Sequence, residues 1–114
     1  MIIETFTTES AVPALTALAQ PTRLAVFRLL VRHGRAGLLA GELASQLDVA
    51  PNALSFHLKS LAQAGLVSSA NEGRHVRYAA NVDTMQQLIE FLSAECCQGN
   101  PQACFGESTI SSKC

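Results

Sequence analysis

No cysteine occurs before residue 96 and no tryptophan occurs anywhere, and five phenylalanines and one tyrosine are the whole aromatic content of 114 residues. The first absence excludes a disulfide scaffold for the body of the chain. The second leaves an aliphatic core, and a small domain of that kind often gains stability by dimerising. No stretch approaches the roughly 18 consecutive apolar residues of a membrane span. The opening MIIETFTTES carries two acids and no Lys or Arg ahead of an apolar run, so a secretory leader is not expected and the cytoplasm is. There is no phosphate-cradling glycine loop, no nucleophile beside a base and no carboxylate pair in a plausible cleft, so neither an enzyme nor an organic cofactor is expected.

What is present is a globular composition, 48% hydrophobic, with a net charge of −1 that hides an uneven distribution. Residues 20–80 hold Arg23, Arg28, Arg32, Arg35, Lys59, Arg74 and Arg77 against Glu42, Asp48 and Glu72, while both ends are acidic. A basic middle between acidic ends suits a localised anionic partner.

The pattern predicts a short helix opened near Ser10, then a helix from Pro21 capped by Gly34, with Leu24, Phe27, Leu30 and Val31 as its apolar stripe. Leu39, Leu43 and Leu47 repeat every four residues and predict another short helix with these leucines in the core. DVAP (48–51) interrupts it. Pro51 then opens a helix that ends at Gly65, with Leu54, Leu58 and Leu61 inward and Asn52, Ser55, Phe56, Lys59 and Gln63 outward. Two short helices joined by a tight turn, the second with a polar outer face, form a helix-turn-helix. Alternation over 66–81 around NEG predicts a two-stranded hairpin, with Val76 and Tyr78 on one face and His75 and Arg77 on the other. A last amphipathic helix is expected over 82–97, with Met85, Leu88, Ile89 and Leu92 as its stripe and GNP as its stop.

The words PTRLAVFRLL, LASQLDVAPNALSFHLKSLAQAGLV and EGRHVRYAAN make this sequence resemble the ArsR/SmtB family of bacterial winged-helix metalloregulators, over roughly residues 14–82. The resemblance implies a mainly α fold with a small β-hairpin, a winged helix-turn-helix that is homodimeric through its first and last helices, and a repressor on a two-fold symmetric, double-stranded operator. Residues 1–104 would form that domain and 105–114 a flexible tail. In this frame Asn52 and Ser55 reach base edges, Phe56 meets a thymine methyl or packs against the hairpin, and Lys59 contacts phosphate. Arg74 at the hairpin tip approaches the minor groove, with His75 and Arg77 towards the backbone. His57, one turn from Leu54 and Leu61, is expected to be partly buried and hydrogen-bonded, and is kept as a DNA-contact candidate.

Where familiar arsenic sensors of this family carry two cysteines, in a Cys-Val-Cys-Asp-Leu word, this chain reads LAGEL, with Leu39 and Gly41 in their places. The histidine and carboxylate pairs of the zinc-binding members are missing too, since no histidine follows His75. The remaining sensor candidates are Cys96, Cys97 and Cys104, with Cys114 as a bystander thiol. Cys96 continues the stripe of the last helix, and QGNP turns Cys104 back over its end. Three thiolates without nitrogen or oxygen partners form a soft site that suits As(III) or Sb(III) as inducer. Members of the family with clustered C-terminal cysteines resemble arsenite sensors, which points the same way. Cd, Pb, Cu(I) and Zn, thiol-based redox sensing, and a non-regulatory metal-sequestering role stand as alternatives.

Overall fold

The computed structural model describes residues 6–94. Five helices and a three-stranded antiparallel sheet follow in the order α1 (Thr8–Leu18), α2 (Pro21–His33), a 3-10 turn (Gly34–Ala36), β1 (Leu38–Leu39), α3 (Ala40–Leu47), α4 (Pro51–Gln63), β2 (Val67–Glu72), β3 (His75–Ala80) and α5 (Val82–Ser93). The sheet order is β1-β3-β2. This is a winged helix-turn-helix. No single helix among the described residues is long and apolar enough to cross a membrane.

The helix ends follow from local chemistry. Thr7, not Ser10, caps α1, and its side chain accepts the Ser10 N–H. The helix therefore starts earlier than the sequence pattern predicts, because the threonine hydroxyl satisfies an orphan amide of the first turn. Gln20 does the same for α2 by accepting the Arg23 N–H at 2.8 Å, and Pro21 fills the first helical position. Gly34 closes α2 at φ 61°. Asp48, left-handed at φ 56°, closes α3, and its N–H returns to the Ala44 and Ser45 carbonyls. That left-handed residue makes the turn before α4 tight.

The core is aliphatic as expected. Val26, Phe27, Leu29, Leu30, Leu38, Leu43, Leu54, Leu58, Leu61, Leu66, Val67 and Leu88 are buried together with Ala11, Ala14 and Ala17. Three expectations need correction. Leu24 is exposed, and Val26 and Leu29 take its place on the inner face of α2. Leu39 lies ahead of α3 rather than in it, half-buried in β1, while Leu43 is the fully buried leucine of that set. The hairpin acquires a third strand, because Leu38 and Leu39 pair with Tyr78 and Arg77. Gly37 allows this: at φ 62°, a Cβ there would strike the Tyr78 carbonyl.

The first and last helices distribute their side chains unusually. α1 turns its alanines inward and leaves Val12 (53%) and Leu15 (41%) exposed. α5 buries Leu88 but leaves Ile89 (54%) and Leu92 (60%) exposed. The two helices pack together, and Phe6 meets Phe91 edge to face at 6.0 Å between centroids. α5 ends at Ser93, whose hydroxyl donates to the Ile89 carbonyl, and Ala94 is extended at φ −59°, ψ 135°. α5 therefore stops at Ser93, short of the expected bound of 97. Cys96, expected on its stripe, lies outside the described residues.

Candidate nucleic-acid interface

Helix α4 has two unlike faces. Leu54, Leu58 and Leu61 are sealed in the core and hold the helix against α1, α2 and α3. Asn52, Ser55, Phe56 and Lys59 are exposed, Phe56 at 63%. Phe56 therefore stands out from the body rather than packing under the hairpin. Its ring meets the His57 imidazole edge to face, 5.7 Å between centroids. His57 is half-buried, and its Nδ1 lies 3.5 Å from Arg23 Nη1. Asn52 Oδ1 accepts the Ala53 N–H at 3.0 Å. Ala50, the residue at the helix entrance, offers no side-chain cap. Pro51 has no N–H, Asn52 holds that of Ala53 and the Ala50 carbonyl holds that of Leu54, so the first turn of α4 offers the Asn52 N–H and the positive end of the helix dipole, which suits an anionic group.

The wing is the β2–β3 hairpin, with Gly73 and Arg74 between the paired residues Glu72 and His75. Gly73 takes φ 67°, which a two-residue hairpin turn demands. Val76 and Tyr78 pair with Asn71 and Ser69, so they share a face as the alternation predicts. Arg74 and His75 are exposed at the tip. Arg77 is engaged within the protein. Its Nε donates to Glu72 Oε2 at 2.7 Å, and its Nη1 donates to the Ala36 carbonyl at 3.1 Å. This is the one ion pair among the described residues. The hydrogen bond from Arg77 holds the Glu72 carboxyl below the usual range, with help from the charges of Arg77 and His75, and the same contact pushes Arg77 up.

The recognition helix and the wing thus bring Asn52, Ser55, Phe56, His57, Lys59, Arg74, His75 and Arg77 onto two adjoining elements of one body. Sequence reasoning missed two partners of these residues. Glu72 was counted only as a charge. Strand alternation around a two-residue turn places it diagonally from Arg77, and that signal was available. Arg23 is counted in the sequence only among the basic residues of the middle segment, and the order Gln-Pro-Thr-Arg at a helix start is the local hint of its position.

Cys96, Cys97, Cys104 and Cys114 lie outside the described residues, as do the boundary at 104 and the tail over 105–114. Among the described residues no group of three His, Cys, Asp or Glu side chains is placed to hold a metal ion.

Comparison with known proteins agrees with this architecture. A helix-turn-helix domain family model matches residues 18–70. The transcriptional activator HlyU of Vibrio cholerae is 36% identical over 90 residues, 79% of this chain and 81% of HlyU. The HTH-type transcriptional regulator CmtR of Mycobacterium tuberculosis is 36% identical over 105 residues, 90% of this chain and 86% of CmtR. Among solved structures, an ArsR-like transcriptional regulator from Rhodococcus sp. RHA1 superposes with a TM-score of 0.69 at 27% identity, over 92% of this chain and 96% of that one.

Proposed function

Because the chain belongs to the ArsR/SmtB family of winged-helix transcriptional regulators, we propose that it is a cytoplasmic, homodimeric repressor that leaves its operator when As(III) or Sb(III) binds Cys96, Cys97 and Cys104. The observation that carries the inducer is the position of these thiols. The chain has no cysteine until just beyond α5, and then three within nine residues.

The DNA side rests on α4 and the wing. Asn52 and Ser55 address base edges and Phe56 a thymine methyl, while Lys59 contacts phosphate. Arg74 enters the adjacent minor groove and His75 follows the backbone. Arg77 joins them to the extent that Glu72 releases it. The dimer side rests on Val12, Leu15, Ile89 and Leu92, large apolar side chains that one chain leaves exposed on two helices packed together. A second copy covering them sets the spacing of the two recognition helices, and a symmetric operator answers that spacing.

Cys96, Cys97 and Cys104 would hold As(III) or Sb(III) through three soft sulfurs, each thiol displacing one hydroxide of the metalloid, which leaves as water with the thiol proton. Drawing the chain after α5 into such a site reshapes the end of the dimer helix. Release follows when the loaded dimer disfavours the DNA-bound spacing by a coupling free energy on the order of 1–3 kcal/mol.

The test is a titration of arsenite into reduced protein bound to the duplex upstream of its own gene, at fixed salt, with Cys97→Ser alongside. Release of the wild type with retention of the variant is the expected result. Equal affinity of the wild type with and without arsenite would sink the inducer reading. HlyU is named an activator, so a promoter fusion is read in the same experiment for the sign of regulation.

A second reading has one observation in its favour. A solved structure of HlyU in its reduced form superposes with a TM-score of 0.61 at 34% identity. In this reading Cys104 forms a disulfide with Cys96 or Cys97 on oxidation. Peroxide-driven release of DNA that dithiothreitol reverses, with no response to arsenite, favours it over the first.

A further inference from the structure

Three helices meet at one side chain. The Ala17 carbonyl lies in the last turn of α1, and its helical partner would be the N–H four residues on. That residue is Pro21, which has no N–H. Arg23 supplies the missing donor: its Nε donates to the Ala17 carbonyl at 2.7 Å. Its backbone N–H is fixed by Gln20 Oε1, so the side chain starts from an anchored position in the first turn of α2. The other arm of the same guanidinium, Nη1, faces His57 Nδ1 on α4 at 3.5 Å, the outer limit of hydrogen-bond reach. A guanidinium has no acceptor, so a hydrogen bond across this contact is one that Arg23 donates and His57 Nδ1 accepts.

We propose that Arg23 is a positioning residue for DNA recognition, a strut that ties the end of α1 to His57 and so fixes the attitude of the recognition helix against the body. The planar fork reaches two acceptors on two different helices, which a single ammonium does not do with the same geometry. Both arms are partly buried, where a contact holds its geometry better than on an open surface. α1 also carries Val12 and Leu15 on its outer face. The strut therefore joins the helix that meets a second copy to the helix that reads DNA. Arg23 itself makes no claim on DNA. Its effect passes through His57 and α4. The inference rests on the DNA-binding reading of α4 and is independent of the inducer.

The experiment is a double-mutant cycle on the full chain with Arg23→Lys, His57→Leu and the pair, and with His57→Asn as the variant that keeps an acceptor near Nδ1. Affinity for the duplex upstream of its own gene is read by fluorescence anisotropy at fixed salt, stability by urea unfolding, and α4 by amide hydrogen exchange. Arg23→Lys is expected to weaken binding about tenfold in the wild-type background and far less in His57→Leu. It is also expected to speed exchange of the α4 amides without DNA present, and His57→Asn is expected to retain most of the coupling. Multiplicative losses in the cycle, or a loss of affinity no larger than the lost stability explains, overturn the proposal. Should the wild type bind no such duplex, the DNA reading falls. The α4 exchange still decides the strut, since unchanged protection in Arg23→Lys refutes it.

Discussion

Glu72 and Arg77 face each other diagonally across the wing, and the 2.7 Å contact between them sets how much positive charge the hairpin shows to DNA. A carboxylate beside Arg77 would compete with a phosphate for the same guanidinium in the proposed complex. Glu72→Gln removes the competitor's charge, and the expected outcome is tighter DNA binding with a steeper salt dependence, by about 0.9 in the log–log slope for one added phosphate contact. Anisotropy titrations at several salt concentrations measure it, and an unchanged slope would mean that Arg77 never reaches the backbone. The pH dependence has a definite sign. Arg77 holds the folded carboxyl below its ordinary value, so the pair's contribution is complete above that value, about 4.3, and is lost only as pH falls through the depressed one. An NMR titration of the Glu72 carboxyl is expected to have its midpoint below that of a free glutamate, and Arg77→Gln is expected to restore the ordinary value. Arg77 also shows what a sequence conceals. Its face on the strand and its diagonal to Glu72 were legible from the alternation, but its contact with the Ala36 carbonyl depends on β1 and the 3-10 turn bringing that group close.

At the scale of elements, the helices with strong internal logic were legible. Pro21 and Gly34 bracket α2, Pro51 opens α4, and the leucines at 54, 58 and 61 are all in the core. β1 was not legible, because two residues carry no periodicity and their pairing depends on a distant strand. α1 was legible as a helix but not in its orientation. Period alone does not say that alanines face in and Val12 and Leu15 face out. The physical reason is distance: Ala11, Ala14 and Ala17 recur every three residues and let α1 lie close against the body. Replacing Ala14, fully buried, with leucine is therefore expected to overpack that seam and cost about 1–3 kcal/mol in urea unfolding. Leu15→Ala, on the exposed side, is expected to leave the unfolding of a single chain nearly unchanged and to weaken self-association instead. Equal losses of stability from both substitutions would place the packing face of α1 elsewhere.

In the whole molecule, the thiols proposed to sense and the groups proposed to read DNA belong to different stretches of one chain. α4 and the wing carry the groups proposed to face DNA, α1 and α5 expose Val12, Leu15, Ile89 and Leu92, and the cysteines follow α5 in the chain. The proposed coupling needs a second subunit, because a metalloid bound after α5 alters operator affinity only by changing how two recognition helices are spaced. This requirement yields a separable prediction. Leu92 is 60% exposed in the single chain, so Leu92→Glu is expected to leave its fold intact, within about 0.5 kcal/mol as for other surface changes. Burying that charge between two copies is unfavourable, so sedimentation equilibrium is expected to show monomers at micromolar concentration. Operator affinity is then expected to fall by at least about tenfold, since one half-site no longer holds the other at high effective concentration. Arsenite is still expected to bind the three thiols of the monomer and yet leave its residual DNA affinity unchanged, because there is no second helix to displace. A variant that stays dimeric would move the seam away from α5. A monomer that arsenite still releases from DNA would mean the signal travels within one chain.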